Sequence, residues 1–360
     1  MELFDQLSAD DYEQIVFNQD KSSGLRSIIA VHSTSLGPAL GGTRFYPYLT
    51  EEAAITDVLR LAKGMTYKAA AAGLDLGGGK AVIIGDPQRD KSEELFRAYG
   101  RFIEGLGGRY ITAEDVGTAR EDMDIVKRET KWVTGVSTVY GGSGDPSPVT
   151  AFGVLQGLRS IAMELWQTAD LKGRRFAVQG VGKVGHSLVG LLTEAGASVV
   201  IADVDVDNLG KAVGDFAVET TDLDKIHLVD CDVFVPCALG GVLNDQTIPQ
   251  LNCEAVGGAA NNQLLSSEHG KLLEDRGILY APDFIINAGG LMNVADELRG
   301  YDADRALAQV TRIFHTLRNV FQIAKLEKVT TVEAATHLAE ERIRRVGRVK
   351  MIQVGPRAAW

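Results

Sequence analysis

Along the first third of the chain, apolar residues recur at the spacing of strands in some segments and at the spacing of helices in others. This pattern predicts a layer of strands packed with helices. Two alternating stretches within residues 13–34 flank the turn sequence DKSSG and indicate an antiparallel pair of strands. Between Thr50 and Lys63 the apolar residues follow the helical spacing i, i+3, i+4, i+7, so a helix would present residues 65–68 at its C-terminal end. A buried strand (AVIIG), a helix from Ser92 and a strand (RYITA) ending at Glu114 follow.

The rest of the chain follows a turn-rich segment, YGGSGDPSP (140–148), which predicts a boundary between domains. There Ser147 before Pro148 is typical of a helix N-cap, and a long helix over 149–167 is expected. Residues 174–205 have the pattern of one strand–turn–helix–strand unit, and DVFVP, EAVGG and GILYAP predict further short strands. Two helices close the pattern, one over about 304–325 and one from the capping box Thr330-x-x-Glu333 to about residue 346.

Composition narrows the classes of protein. A chain of 360 residues is expected to form about two domains. The formal charge of −11 repels polyanions, so nucleic acid is not an expected partner. Cys231, Cys237 and Cys253 lack metal-type spacing and favour reduced thiols, and the scattered histidines give no reason to expect a metal. Without an apolar run of about 20 residues or a signal-peptide pattern, we expect no membrane span and a cytoplasmic location.

A glycine-rich turn follows the predicted strand FAVQ and opens a helix. Gly180, Gly182 and Gly185 have the spacing GxGxxG, in which the glycines permit a tight turn, close approach of a pyrophosphate, and close helix–strand packing. The next strand ends at Asp203, where a carboxylate can accept hydrogen bonds from an adenosine ribose and would repel a 2′-phosphate. The motif therefore predicts a Rossmann-type unit that binds NAD in preference to NADP.

Two lysines and one aspartate are the candidates for chemistry. Lys80 follows three glycines, and the sequence around it is not a P-loop because Leu74 and Ala81 replace the glycine and hydroxyl residue that a P-loop requires. Lys68 follows the apolar segment GMTY. Two lysines in one apolar cleft would lower each other's pKa, so that one could bind a carboxylate and the other act as a base. Asp115 either lies at the ligand edge of the sheet or caps a turn at Gly117.

At these residues the sequence resembles the amino-acid dehydrogenases of the glutamate, leucine, phenylalanine and valine superfamily. The resemblance runs from residue 11 to about 346 and is closest to the leucine enzymes, then the valine enzymes. It is carried by the segments LGPALGGTRFYPY, GMTYKAAAAGLDLGGGKAVIIGDP, GRYITAEDVGT, GSGDPSPVTAFGV, PCALGGVLND, GAANNQL and YAPDFIINAGGLMNVADE. The tail 347–360 finds no match and is given no role.

The resemblance implies NAD-dependent, reversible oxidative deamination of a branched-chain L-amino acid to its 2-oxo acid and ammonium. Lys68 would hold the substrate carboxylate, Lys80 would polarise the oxygen at the α-carbon, and Asp115 would exchange protons with the amine. The remaining substrate pocket is expected to consist of Leu40, Gly41, Met65, Ala113, Asn262, Leu291 and Val294. The cofactor is expected to contact Thr150, Gly180, Val181, Gly182, Lys183, Val184, Gly185, Asp203, Ala238, Leu239 and Asn262.

Leu40 and Val294 bear on the specificity for the substrate side chain. By the resemblance, they stand where glutamate-specific relatives carry a lysine and a serine. An apolar pocket cannot compensate a side-chain carboxylate, whose burial costs several kcal/mol, so glutamate is disfavoured. Leu291 stands where many leucine-type relatives carry valine, which leaves open a valine or phenylalanine preference.

Two functions of a different class fit the motifs less well. A non-catalytic NAD-binding sensor would be expected to have lost at least one of Lys68, Lys80 and Asp115, and the chain has all three. A 2-hydroxy-acid dehydrogenase usually employs a histidine base, and no histidine lies in these motifs. An amino-acid dehydrogenase is therefore the favoured interpretation.

The predicted fold is α/β with two domains separated by a cleft. An N-terminal α/β domain with a mixed sheet (1–135 plus 328–360) is expected to bind substrate and carry the oligomer contacts, and a Rossmann domain (136–327) to bind NAD. The resemblance also implies a homo-oligomer, with an octamer as the favoured form.

Overall fold

The structure, a computed structural model, describes residues 3–349 and contains two compact units. Among the described residues, unit 1 takes the chain up to Gly144, the short return Val294–Asp302, and the residues from Ala339 onward. Unit 2 takes Asp145–Asn293 and Ala303–Leu338. The sequence predicts crossings after residues 135 and 327, and it gives no sign of the short return. Most of the unmatched tail, from residue 350, lies outside the described residues.

Unit 1 is built on a five-stranded mixed sheet with the order β1-β2-β4-β3-β5. The pairs β1–β2 and β2–β4 are antiparallel, whereas β3 is parallel to both β4 and β5. The strands are β1 (Gln14–Asp20), β2 (Leu25–Ser33), β3 (Ala39–Tyr46), β4 (Gly77–Ile84) and β5 (Tyr110–Glu114). The helices are α1 (Leu3–Ala9), α2 (Glu51–Ala71), α3 (Glu93–Gly105) and α4 (Arg120–Lys127). The predicted mixed sheet is confirmed.

Apolar side chains cover both faces of this sheet, because alternate residues of each strand point to opposite faces. Val58 and Ala62 of α2 pack with Ala30 and Val82 on one face. On the other face a larger cluster joins the sheet to α3 and α4, and it includes Phe45, Phe96, Tyr99, Tyr110 and Met123. The sheet is thus a buried platform between α2 on one side and α3 and α4 on the other.

Strand β3 is not predicted by the sequence pattern, because it contains Gly41 and Gly42 and glycine is depleted in strands. The structure shows why glycine is needed. A Cβ on Gly41 would lie 1.8 Å from the carbonyl oxygen of Gly79 in the neighbouring strand. The same close packing explains β4, which begins at Gly77 and therefore contains the glycine run instead of following it. In both strands, glycine lowers the β propensity but allows neighbouring backbones to approach closely.

Unit 2 is built on a six-stranded parallel sheet with the order β11-β10-β9-β6-β7-β8, which confirms the predicted Rossmann-type domain. The strands are β6 (Arg175–Gln179), β7 (Ser198–Ala202), β8 (Glu219–Thr220), β9 (Val233–Pro236), β10 (Ala255–Val256) and β11 (Leu279–Tyr280). The helices are α5 (Ser147–Trp166), α6 (Lys183–Glu194), α7 (Val206–Asp215), α8 (Glu268–Asp275), α9 (Asp283–Ile286), α10 (Gly289–Asp296), α11 (Ala303–Val310), α12 (Arg312–Glu327) and α13 (Thr331–Val349). Two of them, α10 and α13, begin in unit 2 and end in unit 1.

The ends of several helices differ from the expected ones. Helix α5 begins at Ser147 and not after it, and Asp145 Oδ1 accepts the Ser147 N–H at 2.9 Å. The helix expected over 304–325 is two helices, α11 and α12, separated at Thr311. The capping box before α13 is confirmed, since Thr330 Oγ1 accepts the Glu333 N–H at 3.2 Å and Glu333 accepts the Thr330 N–H at 2.8 Å.

Two further expectations concern the cysteines and membranes. Cys231, Cys237 and Cys253 are all free thiols. Burial raises the pKa of Cys231 and of Cys237 to about 12, so both thiols stay protonated near neutral pH. Within residues 3–349 no helix combines the length and the apolar character that crossing a bilayer requires.

Candidate active site

In unit 1 the candidate residues lie on three adjacent strands and on the end of α2. Leu40 and Gly41 are on β3, Lys80 is on β4, and Ala113 is near the end of β5. The register pairs Leu40 with Gly78 of β4, and Gly42 with Ala113 of β5. Leu40 and Ala113 are 2% and 7% exposed, so the strands bring an apolar wall beside Lys80.

The end of α2 rests directly on β4 because Gly78 has no side chain. A Cβ there would lie 2.0 Å from the backbone nitrogen of Thr66 and 2.2 Å from its Oγ1. The adjacent Met65 and Lys68 are half-buried, and Lys68 lies in the last turn of the helix. The glycine run therefore seats the segment GMTYK against the strand that carries Lys80.

A buried histidine fixes the same helix end. The Asp10 carbonyl can only accept a hydrogen bond, so His32 Nε2, 3.0 Å away, is the donor. His32 Nδ1 then accepts the Thr66 hydroxyl at 2.7 Å. Burial lowers the pKa of His32 and favours this neutral form.

Lys80 and Asp115 form an ion pair at the end of β5. The Lys80 side chain is 7% exposed and the Asp115 side chain 22% exposed. Burial alone would raise the pKa of Asp115, but the ammonium of Lys80 and then the guanidinium of Arg44 outweigh it, so the pKa lies below its usual value. Asp115 is therefore a carboxylate near neutral pH. The charge of Lys80 is thus paired with a carboxylate.

The backbone of Asp115 closes the turn after β5 by bonding to Thr118. Thr118 Oγ1 accepts the Asp115 N–H at 2.8 Å, and the Asp115 carbonyl accepts the Thr118 N–H at 3.0 Å. A role for Asp115 confined to capping the turn at Gly117 is thus not needed. Its carboxylate is left to face Lys80.

Sequence reasoning misses Arg44, the one charged residue of β3. Arg44 Nη1 donates to Asp57 Oδ2 at 2.8 Å, and Arg44 Nε lies 3.7 Å from Asp115 Oδ2. A signal is present in the segment LGPALGGTRFYPY, where an arginine follows a run of apolar and small residues. This signal is weak, because Gly41 and Gly42 lower the strand propensity of the segment that carries the arginine.

Buried hydroxyl groups hold the strands around the site in register. Tyr110 donates to the Gly41 carbonyl at 2.5 Å, and Thr43 Oγ1 lies 2.6 Å from Thr112 Oγ1 and 2.5 Å from the Tyr99 hydroxyl. Burial raises the pKa of Tyr99 to about 12 and raises that of Tyr110 well above its usual value, so both phenols remain neutral donors. These contacts fix Gly41 from the face of the sheet opposite α2.

In unit 2 the glycine turn has the geometry that a dinucleotide requires. Gly180 has a φ of +95°, and a Cβ on Gly185 would lie 2.0 Å from the Gly180 carbonyl oxygen. A Cβ on Gly182 would meet nothing within 4 Å, so there is open space in front of the α6 N-terminus, which begins with Lys183 and Val184. Open space before unsatisfied helix N–H groups is a cradle that fits a pyrophosphate.

Asp203 lies just beyond β7, beside this turn. Its Oδ2 accepts the N–H of Val181 at 2.6 Å and its Oδ1 accepts the N–H of Asp205 at 2.8 Å. The carboxylate thereby fixes the glycine turn and places a negative charge next to it. Asp205 caps α7 by accepting the N–H groups of Asp207 and Asn208.

The remaining unit 2 candidates come from three loops and helix ends. Thr150 is in the first turn of α5, where its hydroxyl donates to the Pro146 carbonyl at 2.9 Å. Ala238 is exposed after β9 and packs so closely on the turn that a Cβ on Gly180 would lie 2.7 Å from it; Leu239 beside it is 84% exposed. Asn262 is exposed and has a φ of +50°.

The last two candidates, Leu291 and Val294, are on α10, Leu291 in unit 2 and Val294 in unit 1. Leu291 is 8% exposed and Val294 is half-buried. In the described part of the chain no group of three or more histidine, cysteine, aspartate or glutamate side chains is placed to hold a metal ion.

Comparison with known proteins identifies the family. The model of the Glu/Leu/Phe/Val dehydrogenase dimerisation domain matches residues 12–132, and that of the Glutamate/Leucine/Phenylalanine/Valine dehydrogenase domain matches 141–207 and 204–349. The chain belongs to the glutamate/leucine/phenylalanine/valine dehydrogenase family. It is thus an amino-acid dehydrogenase, and the family resemblance inferred from the sequence motifs is confirmed.

Several members of this dehydrogenase family resemble the chain over nearly its whole length. Leucine dehydrogenase of Bacillus subtilis (strain 168) is 55% identical over 97% of this chain and 96% of its own. Valine dehydrogenase of Streptomyces virginiae is 53% identical over 92% of this chain and 94% of its own. The crystal structure of L-tryptophan dehydrogenase from Nostoc punctiforme has a TM-score of 0.86 and 44% identity, and covers 96% of this chain and 99% of its own.

Proposed function

We propose that this dehydrogenase catalyses the NAD-dependent, reversible oxidative deamination of branched-chain L-amino acids, with leucine preferred and valine and isoleucine accepted. The observation that carries the proposal is the Lys80–Asp115 ion pair beside the apolar side chains of Leu40 and Ala113. It supplies an ammonium donor and a carboxylate base next to a surface suited to an aliphatic side chain. The identity to leucine dehydrogenase of Bacillus subtilis supports leucine as the substrate.

The residues of unit 1 have distinct roles in this reaction. Lys68 binds the substrate carboxylate from the end of α2. Asp115, ionised because Lys80 and Arg44 lower its pKa, takes a proton from the substrate amine. After hydride has left the α-carbon, Lys80 donates a hydrogen bond to the water that adds there, and it stabilises the negative charge on that oxygen as ammonium leaves.

The residues of unit 2 bind and orient the cofactor. NAD, when bound, supplies C4 of its nicotinamide as the hydride acceptor. The turn Gly180–Gly185 and the N-terminus of α6 receive the pyrophosphate, and Asp203 accepts hydrogen bonds from the adenosine ribose and disfavours a 2′-phosphate. Thr150 and Asn262 orient the nicotinamide, while Ala238 and Leu239 line the rest of the NAD site.

Substrate choice follows from the apolar residues. A glutamate side chain would leave its carboxylate without a partner beside Leu40, which costs several kcal/mol. We also assign Gly41, Met65, Leu291 and Val294 to recognition of the substrate side chain, and Asn262 to orientation of the substrate. One methylene more or less in the substrate side chain changes the free energy of discrimination by about 1–3 kcal/mol. We assign the choice among leucine, valine and phenylalanine to Leu291 and Val294.

The assembly and location belong to the same proposal. The dimerisation domain matched by residues 12–132 supports a homo-oligomer built through unit 1, and we propose an octamer. The three free thiols, which a reducing compartment preserves, support a cytoplasmic enzyme.

The test is formation of NADH from NAD and individual L-amino acids. We expect L-leucine to have the highest kcat/KM, with L-valine and L-isoleucine next and L-glutamate inactive. Lys68→Met should raise the KM for L-leucine strongly while NADH binding, measured by fluorescence, stays unchanged. An inactive wild-type protein, or one that oxidises only L-glutamate, would contradict the proposal.

A further inference from the structure

Arg44 lies on the central strand β3 and reaches the face of the sheet that α2 covers. Its neighbour Thr43 points to the opposite face, where it contacts the Tyr99 hydroxyl, and alternation along the strand turns Arg44 the other way. There Arg44 Nε lies 3.7 Å from Asp115 Oδ2, the same carboxylate oxygen that pairs with Lys80. Two cations from adjacent strands therefore face one carboxylate.

The guanidinium of Arg44 is fixed from behind by α2. Asp57 Oδ2 accepts Arg44 Nη1 at 2.8 Å and the Tyr48 hydroxyl at 2.6 Å, and Asp57 Oδ1 accepts Arg60 Nη2 at 3.0 Å. Both Arg44 and Asp57 are largely buried, with side chains 22% and 16% exposed. A bonded and packed arginine of this kind can hold a charge in one position.

One donor of Arg44, its Nε, is buried and lacks a hydrogen-bond acceptor among the described residues. A buried donor without an acceptor costs free energy, and this one points toward Asp115 at a distance just beyond a hydrogen bond. A small movement of the Asp115 carboxylate away from Lys80 would satisfy it.

We propose that Arg44 is a positioning residue for Asp115: anchored by Asp57, it orients the carboxylate and keeps it ionised when Lys80 turns to the substrate. The inference rests on the proposed function, in which Asp115 accepts the amine proton. When Lys80 also donates to the substrate oxygen, its positive charge is shared between that oxygen and Asp115. A second cation beside Asp115 then helps to keep the carboxylate ionised in that step.

The charges around Asp115 determine the direction in which its pKa should move when Arg44 is removed. Among the described residues, the cations that face it are Lys80 from β4 and Arg44 from β3, while Asp57, Arg60 and Tyr48 face Arg44 from behind. Burial raises the pKa of Asp115, and the cations lower it. Removing Arg44 should therefore raise the pKa of Asp115, most of all in the substrate complex.

The experiment compares pH profiles of kcat for L-leucine oxidation, because kcat reports on groups in the substrate complex. In Arg44→Gln we expect the acid limb to move up by about 1 pH unit, with kcat lowered and KM little changed. Arg44→Lys should bring the limb back toward that of the wild type. Arg60→Gln is the matched control, because it removes an arginine from Asp57 but no charge beside Asp115, and its profile should not move.

Asp57→Asn keeps the charge of Arg44 and loosens its anchor. We expect a lower kcat with an unshifted acid limb. This variant also serves if Arg44→Gln does not fold, which hydrogen exchange of peptides from β3 and β4 would reveal. An unshifted limb in a folded Arg44→Gln, an equal shift in Arg60→Gln, or an unchanged kcat in Asp57→Asn would overturn the inference. An inactive wild-type protein would instead overturn the proposed function.

Discussion

Replacing Asp115 with asparagine should destabilise unit 1 more than replacing Lys80 with methionine, although the two side chains form one ion pair. Asp115 is the sole ion-pair partner of Lys80 among the described residues, and the Lys80 side chain is only 7% exposed. Asp115→Asn leaves a buried ammonium without a counter-charge, which we expect to cost about 3 kcal/mol. Lys80→Met leaves a carboxylate that is 22% exposed and still faces Arg44 at 3.7 Å, at a cost of about 1 kcal/mol.

Urea denaturation of the substrate-free protein, with hydrogen exchange of peptides from β4 and β5, measures this difference within unit 1. The double variant removes both charges and should be within about 1 kcal/mol of the wild type. Equal losses in the two single variants, or a double variant as unstable as Asp115→Asn, would refute the reasoning.

The difference in stability between the wild type and Asp115→Asn should change with pH in a defined direction. The pKa of Asp115 is lower in the folded protein than its ordinary value of 3.8. Its charged form therefore adds stability above the unfolded-state pKa, and that stability is lost as the pH falls through the lower, folded-state pKa. We expect the stability gap between wild type and Asp115→Asn to narrow below about pH 4, and a gap independent of pH would contradict this.

Four further substitutions test the glycine turn, the substrate pocket and the capping of α13. Gly182→Ala should leave thermal stability unchanged, because its Cβ meets no atom within 4 Å, yet weaken NADH binding measured by fluorescence; Gly185→Ala should lower stability, because its Cβ would lie 2.0 Å from a carbonyl oxygen. Normal NADH affinity in Gly182→Ala would argue against the pyrophosphate cradle. Leu40→Lys should reduce turnover of branched-chain 2-oxo acids relative to 2-oxoglutarate, and an unchanged ratio would exclude Leu40 from the pocket. Thr330→Ala should cost about 1 kcal/mol in urea denaturation through loss of the α13 capping box, whereas no loss would show that the box is dispensable.

The fold of unit 2 and much of unit 1 could be predicted because their signals are local. The turn Gly180–Gly185, the strand before it and Asp203 after it stand within one short segment, and the structure keeps them together. The helix from Ser92 could likewise be predicted, since its apolar spacing and its cap are both encoded within a few residues. Ser92 Oγ accepts the Leu95 N–H at 3.1 Å.

The unpredicted parts depend on contacts between distant segments. Strand β3 breaks the usual β pattern because Gly41 must approach Gly79, which lies in another strand. The role of Arg44 depends on Asp57 and Asp115, which are brought to it only by the sheet and α2. The crossing between units at Leu338 lies inside α13, so no turn marks it in the sequence.

The most direct test of the proposed function is the consumption of NADH in the presence of ammonium and single 2-oxo acids. The panel contains 4-methyl-2-oxopentanoate, 3-methyl-2-oxobutanoate, phenylpyruvate and 2-oxoglutarate, with reactions lacking ammonium as the control. We expect the first two acids to react fastest, 4-methyl-2-oxopentanoate before 3-methyl-2-oxobutanoate, and every reaction to need ammonium. Turnover of 2-oxoglutarate alone, turnover without ammonium, or no turnover of any acid would contradict the assignment of a branched-chain amino-acid dehydrogenase.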